Sequence, residues 1–200
     1  MKLRAKIPLV LGLAIFLMSA AFYVFTSNQL LEESASIERI DIERDLQRVS
    51  SSLEREIDGI MANTADYATW DASYDYMVER DPDYISENYE GSSFVNLRLN
   101  AVAIFDEKNE LLYKRGFDFV NDEEVDLPPN FFDILAQHPN LLVFEDITKG
   151  TMEMIDFNEK TMIVTSRPIL TSNEEGPSRG TLVMARWLDE HAVENLSELT

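Results

Sequence analysis

Residues 7–25 form an unbroken run of nineteen positions without a charge, Ile7-Pro8-Leu9-Val10-Leu11-Gly12-Leu13-Ala14-Ile15-Phe16-Leu17-Met18-Ser19-Ala20-Ala21-Phe22-Tyr23-Val24-Phe25. As a helix at about 1.5 Å per residue it nearly crosses a hydrocarbon core of about 30 Å. Lys2, Arg4 and Lys6 precede it, and every acidic residue follows it. The positive flank stays in the cytoplasm, which places residues 28–200 outside. Pro8 falls at the start of the run, where a missing N–H costs little. A cleaved signal peptide is the rival reading, because Ser19-Ala20-Ala21 offers small residues for cleavage. The run is longer than the usual h-region and continues through Phe22-Tyr23-Val24-Phe25, which favours an uncleaved anchor. No second run of this kind follows.

Residues 28 to about 70 contain no proline and one glycine. Ile42, Leu46, Val49, Leu53, Ile57 and Ile60 recur at steps of three and four, one face of a helix. Glu38, Arg39, Glu43, Arg44, Asp45, Arg48, Glu54, Arg55 and Glu56 occupy the other faces, as on a solvated helix. Such a seam needs cover. Its twin in a parallel dimer covers the membrane-proximal half, and the sheet of its own head covers the distal half. Gly59 reads as a point of close packing against that head.

The helix runs into Ala65-Asp66-Tyr67-Ala68-Thr69-Trp70-Asp71-Ala72-Ser73-Tyr74-Asp75-Tyr76 and stays helical to Arg80. Asp81-Pro82 is an N-cap and first-turn proline opening a short helix to Asn88. Glu90-Gly91-Ser92-Ser93 reads as a loop. Strands follow at Leu97–Phe105, Glu110–Lys114, Leu141–Phe144, Thr151–Phe157, Lys160–Leu170 and Arg179–Trp187, with a short helix over Asn130–Gln137. Residues 122–126 read as an acidic loop. Leu188–Leu199 reads as a closing helix. Strands joined by short turns give an antiparallel sheet with the helices gathered on one side, an α+β class.

The net charge of −20, from 17 basic and 37 acidic residues, repels phosphate backbones and makes nucleic acid a poor partner. Without cysteine there is no disulfide, thiolate metal site or c-type haem. No nucleophile elbow, P-loop or dinucleotide fingerprint occurs. His138 and His191 are the two histidines, and both read as exposed. No catalytic residue, cofactor or metal ligand is assigned. Asp71, Asp75 and Glu79 step by four but lack the close oxygens and glycine turn of a calcium loop.

Binding is the stronger possibility. Arg186 shares a strand face with Leu182 and Met184, and Arg167 with Ile163, Thr165 and Ile169. An arginine among apolar neighbours needs a carboxylate. Asp66, Asp71 and Asp75 are internal candidates, and a ligand carboxylate held by the guanidinium fork is the alternative. Trp70, Tyr74 and Tyr67 either wall a small-molecule pocket or fill the seam between helix and sheet. The candidate ligand-binding set is therefore Trp70, Asp71, Tyr74, Arg167 and Arg186.

Asp66-Tyr67-Ala68-Thr69-Trp70-Asp71-Ala72-Ser73-Tyr74 resembles the Asp-aromatic-x-x-Trp-Asp-x-x-Tyr signature of the type-four CHASE sensor domains. The strand Leu97–Asp106, the stretch Thr165–Ser172 and the stretch Gly176–Met184 resemble that family in the same order. Tyr67, Ala72 and Ala185 depart from it, where tryptophan, an acid and glycine are usual. The resemblance implies a PAS-like or Cache-like α+β head, extracytoplasmic, serving histidine kinases, diguanylate cyclases and related receptors, without catalysis by this segment.

Together these readings divide the chain into a cytoplasmic N-terminus (1–6), a transmembrane helix (7–27), a helical stalk (28–65), a sensor head (66–187) and a C-terminal helix (188–200) leading towards a second span. The expected molecule is the small-molecule-sensing input of a membrane-anchored receptor, a homodimer through its stalk, with its head periplasmic or extracellular. The alternatives are an exported, membrane-tethered hydrolase and a protein-interaction module.

Overall fold

In a computed structural model of the chain, the backbone is described for residues 3–157 and 160–188, and side chains within that range except for residues 3–10, 24 and 27–40. His191 and the expected closing helix after Leu188 lie outside the described residues. The chain divides into two compact units, Met1–Ser50 and Ser51–Thr200.

Helix α1 spans Leu3–Ala68. In the first unit its side chains stand open: Leu13, Phe16 and Phe22 are exposed, and so are Ile42, Leu46 and Val49 of the predicted seam. Arg44 reaches Asp41 at 3.6 Å and Arg48 reaches Asp45 at 3.4 Å, local pairs of a solvated surface. Among the described residues no helix is long and apolar enough to cross a membrane. Residues 7–10 and 24 of the predicted span lie outside those whose side chains are described.

The second unit is built on a six-stranded antiparallel sheet: β1 Ala101–Asp106, β2 Leu111–Asp118, β3 Glu123–Val125, β4 Thr151–Phe157, β5 Lys160–Pro168 and β6 Gly180–Leu188. The strand order is β3-β2-β1-β6-β5-β4, so the first and last long strands pair at the centre. Burial on both faces explains the near-continuous apolar runs of β1, β5 and β6. Alternation sends Val102, Ile104, Leu182 and Met184 to one face and Ala103, Phe105, Val183 and Ala185 to the other.

The end of α1 lies on the first face. Ile60 is fully buried there, with Leu53 and Ile57 packed alongside. The hydroxyl of Thr64 lies 2.6 Å from that of Thr165, which itself donates to the Met184 carbonyl at 3.1 Å. This face also carries α2 (Asp71–Glu79), α3 (Pro82–Asn88) and α4 (Gly91–Leu97). Asp81 caps α3 by accepting from the Asp83 N–H at 3.0 Å. Helix α5 (Phe131–Ala136) and a 3-10 turn (Pro139–Leu141) pack on the second face, burying Phe131, Leu135 and Leu141. The helices therefore lie on both sides of the sheet, not one, because β1, β5 and β6 are apolar on both faces and need two covers.

The helix breaks at Thr69-Trp70, with Trp70 extended (φ −94°, ψ 140°) between α1 and α2. Residues 91–97 are a helix, not a loop and the start of a strand. Phe94 is buried against Phe117, with ring centroids 5.2 Å apart, and Arg98 ends the helix at φ 54°. Residues 123–125 are an edge strand, since Arg115 holds Glu124 at 3.0 Å across the pair. Residues 141–144 are not a strand; Pro139 opens the 3-10 turn that buries Leu141. His138 is half-buried, and its Nδ1 meets the Glu153 carboxylate. Gly59 is exposed, and a Cβ there would meet nothing within 4 Å, so close packing is not its role.

Candidate functional site

The segment between β5 and β6, residues 169–179, connects the sheet to the α1–α2 junction. The Leu170 N–H donates to the Ala68 carbonyl at 3.0 Å, taking one of the carbonyls left open where α1 ends. Two residues on, Asp71 and Ser172 exchange hydrogen bonds. The Ser172 N–H donates to Asp71 Oδ1 at 2.9 Å, and the Asp71 N–H donates to Ser172 Oγ at 3.1 Å. Asp71 is also the first residue of α2, where a negative charge favours the helix.

Tyr74 closes the attachment from the other side. Its hydroxyl donates to the Pro177 carbonyl at 3.1 Å, and its ring lies 3.7 Å below the Arg179 guanidinium. Arg179 also donates to the Tyr74 carbonyl at 2.9 Å and stands 3.6 Å from Asp75. Trp70 stacks on Tyr67 with centroids 4.4 Å apart. Tyr67 in turn meets Tyr89, whose buried hydroxyl faces that of Tyr84 at 3.4 Å. Burial pushes the phenols of Tyr89 and Tyr84 above their ordinary range, Tyr89 the further.

Of the five predicted site residues, three sit at this attachment: Trp70, Asp71 and Tyr74. Arg167 reaches the same segment, holding Glu174 at 2.7 Å. Arg186 does not join them. It lies five residues further along β6 than Thr181, or about 17 Å by strand rise. There its guanidinium meets the Glu56 carboxylate and the Arg98 carbonyl, and donates to the Leu97 carbonyl at 2.8 Å. Arg98 takes the second Glu56 oxygen at 3.2 Å. The carboxylates of Arg186 and Arg167 are thus Glu56 and Glu174, while among Asp66, Asp71 and Asp75 only Asp75 faces an arginine, Arg179. Glu56 was legible in principle, standing three residues after Leu53 and four before Ile60, and so bordering the apolar seam. Ser172 and Arg179 carried no such signal.

A second feature lies at the end of the sheet's other face. A cleft of about 350 Å³ opens between the ends of β1 and β6 and the chain after the 3-10 turn. Leu142, Val143, Phe144, Ile147 and Pro168 form its apolar walls. Asp106, Glu107, Asn109 and Ser178 form its polar rim. It shares Pro168 and Ser178 with the strand end and segment that grip the junction. Ile147 also packs there, since a Cβ on Gly176 would lie 2.9 Å from its Cδ1. Nearby, Asp146 accepts from the hydroxyl and N–H of Thr148, which with Lys149 hold its carboxyl down to about 2. Among the described residues no group of three potential ligands stands close enough to hold a metal ion.

The sequence matches the family described as CHASE4 domain over residues 52–200. The methanogenesis regulatory histidine kinase FilI of Methanothrix harundinacea (strain 6Ac) is 22% identical over 200 residues, which is all of this chain and 22% of that protein. The chain thus spans about a fifth of that relative's length. Among solved structures, the fold is similar to the extracellular domain of a protein described as histidine kinase vpHK1S-Z8, with TM-score 0.52 and 16% identity over 78% of this chain and 59% of that one. It is also similar to a domain described as that of a sensory box/GGDEF family protein from Vibrio parahaemolyticus, with TM-score 0.51 and 14% identity over 74% of this chain and 61% of that one.

Proposed function

Since the chain belongs to the CHASE4 domain family, we propose that it is the extracytoplasmic, small-molecule-sensing input of a membrane-anchored receptor. The single observation that carries the reading is the grip of residues 169–179 on the α1–α2 junction. Leu170, Ser172, Pro177 and Arg179 hold Ala68, Asp71 and Tyr74 from a segment that begins and ends in the sheet. A ligand that displaces this segment moves the end of α1 with it, and differential binding to two positions of the segment is what a switch requires. Asp71 and Tyr74 then act as coupling residues, with Trp70 stacked behind them.

The remaining parts follow the same logic. Residues 7–27 anchor the chain, supported by the uncharged run and its basic N-terminal flank. The exposed seam of Ile42, Leu46 and Val49 suits a second copy of α1 alongside, giving a homodimer through the stalk. The output module is a kinase or cyclase beyond this segment.

The test joins the 200-residue chain to a histidine-kinase output module in liposomes and reads autophosphorylation across a panel of small amines, acids and neutral compounds. The expected result is a change of output with at least one compound, blunted by Asp71→Ala. Constant output with a compound shown to bind overturns the reading. For topology, Ser92→Cys introduces a single exposed thiol into a cysteine-free chain. Labelling of that thiol from the cytoplasmic side alone overturns the extracytoplasmic placement.

A further inference from the structure

We infer that the cleft between the ends of β1 and β6 and the chain after the 3-10 turn is the ligand site, and that its ligand is a small organic cation with a short apolar body. The inference rests on the sensor reading and gives it a site and a ligand class. Its location differs from the junction residues Trp70, Asp71 and Tyr74, which are already engaged by the chain itself.

Three observations converge. The volume, about 350 Å³, falls at the lower end of the range of ligand clefts, about 300–1,000 Å³, and suits a compact molecule. The walls are apolar and unfinished: Val143 is 64% exposed and Ile147 39% exposed, so an apolar ligand body removes from water surface that the chain leaves open. The rim carries two carboxylates, Asp106 and Glu107, and no basic side chain lines the cleft among the described residues. Asp106 is held in place. Its Oδ1 accepts from the N–H groups of Lys108 and Glu110, both at 2.8 Å, while its Oδ2 accepts nothing from the described residues. A fixed carboxylate with one free oxygen beside an apolar wall is complementary to an ammonium on an alkyl stem. An anionic ligand meets like charge here, and a neutral one leaves both carboxylates without gain.

The site is also placed to signal. Pro168 and Ser178 line the cleft and flank the segment whose Leu170 and Ser172 hold Ala68 and Asp71 on the opposite face. A ligand wedged against Pro168 and Ser178 therefore acts on the strand end and segment that secure α1.

Isothermal titration of the 200-residue chain with n-butylammonium, n-butanol and butanoate tests this. Butylammonium is expected to bind in preference to both others. Affinity is expected to rise by up to about four-fold per methylene from methylammonium to butylammonium. Asp106→Asn keeps the turn acceptor and is expected to weaken binding about ten-fold. Glu107→Gln, at an exposed position that does not threaten the fold, is expected to weaken it by up to about five-fold. Preference for butanoate or butanol overturns the inference and leaves the sensor reading standing, as does ammonium binding that survives both substitutions. Failure of all three probes to bind overturns the cleft as the ligand site, and the kinase fusion then decides the sensor reading independently.

Discussion

Replacing Asp71 by alanine tests whether the α1–α2 junction is held by the segment before β6. Two contributions are lost. The bond from the Ser172 N–H to Asp71 Oδ1, 2.9 Å long and exposed, is charge-assisted but screened by solvent. It contributes about 0.5–1 kcal/mol. The negative charge at the first position of α2 contributes a further 0.3–1 kcal/mol, roughly. The sum is about 1–2 kcal/mol, and at about 2–4 °C per kcal/mol for a unit of this size the melting temperature falls by about 2–8 °C. Asp71→Asn keeps the acceptor and loses the charge, so it falls by about half as much. The sharper readout is local. Exchange of the Ser172 amide, and of the Leu170 amide that holds Ala68, is expected to quicken about ten-fold, while amides of β1 and β6 change only with global stability. Asp75→Ala is the control, because its carboxylate is 63% exposed and 3.6 Å from Arg179, a surface pair of small worth. Unchanged exchange at Ser172 and Leu170 in Asp71→Ala, or an equal effect from Asp75→Ala, refutes the grip as described.

Gly59 lies inside α1 with open space around it, so Gly59→Ala is expected to stabilise by about 1 kcal/mol in urea unfolding, and a loss of stability counts against the exposed placement. Arg186→Met leaves the Leu97 and Arg98 carbonyls without their donor and Glu56 with Arg98 alone, at a cost of about 2–4 kcal/mol. Glu56→Gln costs less, about 1 kcal/mol, because Glu56 is partly exposed and Arg186 keeps both carbonyls; the reverse order in the same assay contradicts this. The buried phenols of Tyr89 and Tyr84 have folded pKa values above the ordinary 10.0. The folded chain then holds protons that the unfolded chain has released, so stability is complete below about pH 10 and falls as pH rises beyond it. Tyr89→Phe is expected to flatten that decline, and a wild-type stability curve already flat above pH 10 speaks against the burial of these hydroxyls.

The sheet was largely legible because alternation and turn chemistry act locally. Thr151–Phe157 and the start at Lys160 follow from an apolar run meeting Asn158-Glu159, and the β1–β2 turn follows from Asp106 capping its own loop. The distal half of the seam was legible too, since Leu53, Ile57 and Ile60 do cover the sheet. The misses have a common cause. Glu123–Val125 has little strand preference of its own and pairs because Gly116 admits Val125 closely, a Cβ there lying 2.4 Å from the Val125 carbonyl. Helix α4 ends where Arg186, far along the chain, donates to the Leu97 and Arg98 carbonyls. An arginine among apolar neighbours needs an acid, but spacing along the chain does not say which. Glu56 is 130 positions from Arg186, and only the packing of α1 on β6 brings them together. The cleft was invisible for the same reason, being assembled from four separated stretches.

A net charge of −20 draws cations to the surface of the chain even without a site, through the field of the whole molecule. The two effects separate by range. The general field is screened over about 8 Å at physiological ionic strength, so its contribution fades as salt is added. Contact with Asp106, whose orientation is fixed by two backbone N–H groups, acts at hydrogen-bond distance and persists. The apolar walls do not respond to either. Binding of butylammonium that is insensitive to alkyl length and vanishes in salt would therefore be the field alone. Binding that keeps its length dependence at about 0.15 M salt and is lost on Asp106→Asn requires the cleft. The length dependence is the stronger discriminator of the two, since Leu142, Val143 and Ile147 recognise the apolar body, and a diffuse negative potential does not.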